Sequence, residues 1–234
     1  IRKDYDLKDK IAFVIQRYGL EVNGGAEQEC RMYAERLAAD YEVHVLTSRA
    51  ISYMTWKNEY PKKDQEINGV LVKRFSVKEK RSRKKFDEIN GRFFAGRLEP
   101  FEEEEWLKEQ GPFLPELLEY IKNHREEYRV FIFCTYLYYP TCMGVKLVPE
   151  KAITIPMAHD EPFLKMKIFS DVFQTPKAIF YNTEEERAFV ETKYHNEEIR
   201  NEVGGSGVEI PAKVDAAAFQ EKYQTGDYLL YVGR

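Results

Sequence analysis

Two short polar clusters, Gly24-Gly25-Ala26-Glu27 and His159-Asp160-Glu161-Pro162, each lie just beyond an apolar run. Their residue types suit a polyhydroxylated or phosphorylated ligand. Two glycines remove Cβ atoms where a loop enters a helix, so unpaired N–H groups can face a phosphate or a sugar carboxylate. The field of the helix end adds about 0.3–1 kcal/mol at an exposed site. A tight turn with no ligand uses the same glycines equally well. A histidine can donate to a sugar hydroxyl or carbonyl while Asp160 or Glu161 orients it or accepts from other hydroxyls. One His with two adjacent carboxylates is a poor metal-ligand set, so no metal is expected.

Other candidates are looser. In Thr135-Tyr136-Leu137-Tyr138-Tyr139-Pro140-Thr141 the residues Tyr136, Tyr138 and Tyr139 can present stacking faces and hydroxyls to a sugar, or pack in a core. Thr183 reads as a helix N-cap forming a capping box with Glu186. Gly204-Gly205-Ser206-Gly207 either turns the chain or faces the same cleft as a last loop. Lys78, Lys80, Arg81, Arg83, Lys84 and Lys85 suit an anionic acceptor or lipid surface, at about 1 kcal/mol per charge near an anionic membrane. The preferred reading of 78–85 is a solvated, mobile loop.

The elements that must position these clusters follow from periodicity. Residues 11–15 read as a strand buried on both faces, 25–39 as a helix with apolar spacing at Ala26, Cys30, Tyr33, Ala34 and Leu37, and 42–47 as a second strand. Strand, helix and strand in that order make a βαβ unit. Asn68-Gly69 between Glu66-Ile67 and Val70-Leu71-Val72 is a hairpin signal, giving an antiparallel excursion. A helical region from Pro100 breaks near Gly111-Pro112, and Leu114, Leu117, Leu118 and Ile121 recur at helical spacing. Residues 130–134, 153–157 and 178–181 read as strands, 184–194 as a helix, 202–203 as a short strand and 228–232 as an apolar strand. The expected fold class is therefore α/β, a Rossmann-like, mostly parallel sheet with helices on both faces. Ligands of such sheets bind outside the carboxyl ends of the strands, where both clusters fall.

The 234 residues are 43% hydrophobic and 32% charged, a globular composition, with net charge -4. That balance argues against a general nucleic-acid binder. No apolar stretch approaches the roughly 20 residues of a membrane span, and no signal peptide opens the chain, so a cytoplasmic location is expected, or one peripheral to the inner membrane face through 78–85. Cys30, Cys134 and Cys142 lack metal or redox spacing and read as structural.

Taken in order, several strings resemble the amino-terminal half of a retaining GT-B glycosyltransferase of family 4. They are Arg17-Tyr18-Gly19 before Asn23-Gly24-Gly25-Ala26-Glu27, Leu46-Thr47-Ser48, Asn68-Gly69-Val70 leading to Arg74-Phe75, and Tyr136-Leu137-Tyr138-Tyr139-Pro140. Ala158-His159-Asp160-Glu161-Pro162, Thr183-Glu184-Glu185, Gly205-Ser206-Gly207-Val208 and Tyr231-Val232-Gly233-Arg234 complete the set. The resemblance implies an acceptor-side domain over 1–226, with 227–234 the first strand or linker of a C-terminal donor-binding domain. It implies metal-independent transfer, with retention, from a nucleotide-sugar donor to a glycan or lipid-linked acceptor. By the same resemblance, His159 contacts the transferring sugar, Asp160 or Glu161 the hydroxyls, and Gly24 and Gly25 the phosphates. Asn23, Glu27, Tyr136, Tyr138, Tyr139, Thr183, Gly205 and Ser206 are expected around the substrate. The paired-glutamate donor motif of that family is absent, so this chain alone is expected to be inactive or nearly so. The rival readings are a stand-alone carbohydrate or nucleotide binding module and a GT-B type sugar-nucleotide epimerase. A dinucleotide dehydrogenase is weaker, because the first loop lacks the spaced three-glycine fingerprint.

Overall fold

The structure is a computed structural model and describes residues 8–205, 207–208, 210 and 212–231. The described residues form an α/β fold around one eight-stranded sheet, ordered β3-β4-β2-β1-β5-β6-β7-β8. The strands are β1 Lys10–Val14, β2 Glu42–Ser48, β3 Gln65–Ile67, β4 Val70–Phe75, β5 Val130–Cys134, β6 Ala152–Ile155, β7 Ala178–Tyr181 and β8 Arg200–Val203. Every neighbouring pair is parallel except β3 with β4, the hairpin that Asn68-Gly69 turns at the sheet edge.

Alternation along β1 shows why the sheet is covered on both faces. Ile11, Phe13 and Ile15 join a core cluster with Cys30 and Ala34 of α1 (Gly25–Leu37). Ala12 and Val14 join the opposite cluster with Leu117 and Ile121 of α4 (Pro115–His124), together with Phe131 and Phe133. A third cluster gathers Trp106 and Leu107 of α3 (Glu103–Gln110), Val172 and Phe173 of α6 (Ser170–Gln174) and Val190 of α7 (Glu184–Tyr194). Each buried Val, Leu, Ile or Phe among them contributes about 1.5–3 kcal/mol relative to exposure.

Three departures from the sequence reading bear on the site. Residues 83–85, expected in a mobile loop, open α2 (Arg83–Phe94), whose N-cap Ser82 accepts from the Lys85 N–H at 3.4 Å. Arg81 is held over the Phe86 ring at 4.6 Å, so this basic run is anchored at its start. The tyrosine-bearing segment is partly helical, as α5 (Tyr139–Gly144). Residues 228–231 are exposed and lie in no strand; the remainder of the expected 228–232 strand, Val232, is outside the described residues, as are Gly233 and Arg234. The nearest regular element is instead α8 (Ala216–Tyr223), whose Phe219 stacks on Tyr228.

Chain order fixes where a ligand can enter. The chain runs outward from β1 to β2 and β4, then returns to the other side of β1 as β5. The crevice of an open α/β sheet lies at that reversal, beyond the carboxyl ends of β1 and β5.

Candidate functional site

Ligand pockets run from about 300 to 1,000 Å³, and the cavity in this crevice measures about 920 Å³. Its wall takes Gln16 and Arg17 after β1, Gly24 to Glu27 at the start of α1, Thr135 to Tyr138 after β5, Pro156 to Glu161 after β6 and Asn182 to Thr183 after β7. The two clusters that the sequence singled out therefore line one space.

The floor is a buried ion pair. Glu27, 6% exposed, accepts through Oε1 from Arg17 Nε at 2.9 Å, from Arg17 Nη2 and from Gln16 Nε2 at 2.9 Å. Arg17 Nη1 donates to the Ile51 carbonyl at 2.7 Å, and its guanidinium lies 5.2 Å from the centre of the Tyr53 ring. Gln16 also accepts from Thr135 Oγ1 at 3.1 Å, which ties the exits of β1 and β5 together. Glu27, expected to touch substrate, thus spends one oxygen on the floor of the cleft.

This pairing gives Gly24 its reason. Its φ of 165° is extended backbone open to any residue, but an added Cβ would lie 2.0 Å from Glu27 Oε2 and 3.3 Å from Arg17 Nη2. Around Gly25 nothing comes within 4 Å of such a Cβ. Gly24 makes room for the ion pair, while Gly25 leaves the helix end open. No side chain caps α1, and the first helical N–H groups face the cavity end of the helix.

The wall beyond β6 is held at several points. β6 stops because Pro156 has no N–H to continue the ladder and Met157 turns left-handed at φ 53°. The Ala158 N–H then donates to Glu186 Oε1 at 2.6 Å, and the Asn182 N–H donates to Glu186 Oε2 at 2.8 Å. One carboxylate, 7% exposed, so joins the exits of β6 and β7. Burial pushes the Glu186 carboxyl above its ordinary value, and the two N–H donors and nearby His159 oppose that rise. Thr183 Oγ1 accepts from the Glu186 N–H at 3.0 Å as the expected N-cap of α7. The capping box is only half made, since the glutamate side chain turns to Ala158 and Asn182.

Further along, the Tyr136 hydroxyl donates to Glu161 Oε1 at 2.6 Å; burial, then Glu161, drives the tyrosine pKa up. Phe163 stacks on Phe93 with ring centres 5.3 Å apart and tilts against Trp106 at 5.0 Å. Glu103 accepts from the Lys167 and Ile168 N–H groups at 3.1 and 2.8 Å. Between these anchors His159 and Asp160 stand exposed at the cavity wall.

Of the expected site residues, Gly24, Gly25, Glu27, Tyr136, Tyr138, Thr183, His159, Asp160 and Glu161 share this cavity. Tyr138 meets Trp56 edge-on at 5.8 Å. Tyr139 does not reach the wall: α5 carries it into the core, edge-on to Phe113 at 5.0 Å. Asn23 lies outside, its carbonyl accepting from Arg17 Nη2 at 3.3 Å. Gly205 is also outside, its carbonyl accepting from the Tyr33 hydroxyl at 2.9 Å, so this loop packs beside α1. Ser206 lies outside the described residues. Sequence reading missed Gln16, Thr135, Asn182 and Glu185, and gave Arg17 and Glu186 no place in the site. For Arg17 and Gln16 a signal existed, since both directly follow the first strand. Among the described residues no group of three or more His, Cys, Asp or Glu is placed to hold a metal ion. No family model matches the sequence, and comparison with curated proteins finds no match.

Proposed function

We propose that this chain is the acceptor-side domain of a retaining, metal-independent glycosyltransferase of the GT-B type, whose nucleotide-sugar donor is held chiefly by a second domain. The observation that carries this reading is the anchored segment after β6. His159 and Asp160 stand exposed at the cavity wall while Glu186, Tyr136 and Phe163 fix the backbone on either side. Group transfer gains much of its rate from holding reactants in near-attack geometry, and a histidine fixed in this way is suited to orient a sugar. In this reading His159 donates to the transferring sugar, Asp160 and Glu161 accept from hydroxyls, and the open α1 end at Gly25 approaches a donor phosphate. Contact with a lipid-linked acceptor or a membrane surface through the basic residues near 78–85 belongs to the same proposal. So does a cytoplasmic or inner-face location; among the described residues no helix is long and apolar enough to cross a membrane.

The test is turnover of a panel of nucleotide sugars by the full-length gene product, with the anomeric configuration of the product read by NMR. Transfer with retention supports the proposal, and inversion or inertness toward every donor contradicts it. One observation favours a stand-alone carbohydrate-binding module as the second reading. The cavity wall carries no lysine among the described residues, and its arginine is engaged by Glu27, so this wall offers a diphosphate no free cationic side chain.

A further inference from the structure

The cavity wall between β6 and α7 is rich in carboxylates, with His159 and Thr183 among its other polar side chains. Asp160, Glu161, Glu185 and Glu186 line it, and none of the four is paired with a lysine or arginine among the described residues. Their partners, where they have them, are neutral: a tyrosine hydroxyl for Glu161 and two backbone N–H groups for Glu186. Asn182 adds an Oδ1 that is buried and accepts no hydrogen bond. The one guanidinium of the wall is held by Glu27 through two of its nitrogens. An ionised carboxylate accepts and never donates, so a ligand must bring its own donors to these four side chains.

A phosphate or uronate is also acceptor-only at neutral pH. Placed beside these carboxylates it meets like charge, an effect that is stronger in a cleft than in bulk water. A hydroxyl-rich ring supplies donors without charge, and an ammonium supplies three donors with favourable charge. The uncapped end of α1, whose N–H groups donate, lines the same cavity.

Resting on the acceptor-side reading above, we propose that the acceptor sugar bound against the β6–α7 wall is a neutral or amine-bearing polyol, and that phosphorylated and uronic acceptors are excluded from it. The carboxylates accept from its hydroxyls or ammonium, and discrimination against anions is electrostatic.

The test is direct binding to the chain as it stands, followed by NMR shifts of cleft amides, with glucose, glucosamine and glucose 6-phosphate as probes. At low salt glucosamine and glucose bind more tightly than glucose 6-phosphate, by about tenfold or more, equivalent to about 1.4 kcal/mol. Added salt narrows that gap. Asp160→Asn with Glu185→Gln changes two exposed side chains and so spares the fold; it narrows the gap in the same way. The proposal is overturned if glucose 6-phosphate binds as tightly as glucose, if the double variant leaves the gap unchanged, or if no probe at millimolar concentration moves a cleft amide. Transfer by the full-length protein is scored separately. Tight sugar-phosphate binding alongside transfer removes only the acceptor class, whereas sugar discrimination without transfer removes only the glycosyltransferase reading.

Discussion

At the scale of single residues, neighbouring identical glycines have different work. Gly24 leaves room for Oε2 of the Glu27 carboxylate, whose Oε1 accepts from Arg17 and Gln16. Gly24→Ala must therefore disturb a buried ion pair, and loss of one partner of such a pair costs about 3–5 kcal/mol; a lower urea midpoint is expected. Gly25→Ala meets nothing within 4 Å and replaces a poor helix former, so stability is expected to hold or rise by up to about 1 kcal/mol. The tyrosines divide similarly. Tyr136→Phe unties Glu161 and is expected to weaken sugar binding, while Tyr139→Phe, in the core, leaves binding unchanged in the same titration. Glu186 carries a pH signature. Its raised pKa means that its stabilising contribution is fully present below the ordinary value of 4.5 and is lost as pH rises through the raised value. Against the non-titrating Glu186→Gln variant, wild-type unfolding free energy should decline from acidic toward neutral pH; a difference that is flat with pH would contradict the burial account.

At the scale of elements, the strands at 130–134 and 178–181 and the helix at 184–194 were legible to the residue, because short apolar runs and a Thr-Glu-Glu-Glu start leave few alternatives. β6 ended two residues early for a reason visible only in the backbone, the left-handed Met157 after Pro156. The short helices α5, α6 and α8 have too few turns to show a period. α2 was masked by its own basic start, where charge reads as loop. Thr183→Ala tests an element that was legible: loss of the N-cap of α7 should cost about 1 kcal/mol in a urea titration. Because α7 also carries Glu186, the same change should loosen the amide of Ala158, measurable as faster hydrogen exchange.

At the scale of the whole molecule, the sequence placed the two clusters beyond strand ends, and only the fold brings both to the wall of one cavity of about 920 Å³. That depends on the return of the chain from β4 to β5, a pairing between distant segments that no local pattern encodes. The tie between Glu186 and Ala158, 28 residues apart, was illegible for the same reason. The α2–α3 excursion likewise acquires a purpose only in the fold, where Phe93 and Trp106 brace Phe163 behind His159. The central proposal is that this brace, with the tie from Glu186 to Ala158, presents His159 to a sugar undergoing transfer. The most direct measurement is kcat/KM for donor consumption by the full-length protein with and without His159→Ala, with the unfolding midpoint measured alongside. A fall of about a hundredfold or more, in the range of a positioned acid–base or hydrogen-bonding group, with the midpoint unchanged, is the predicted result. Activity within twofold of the parent would contradict it.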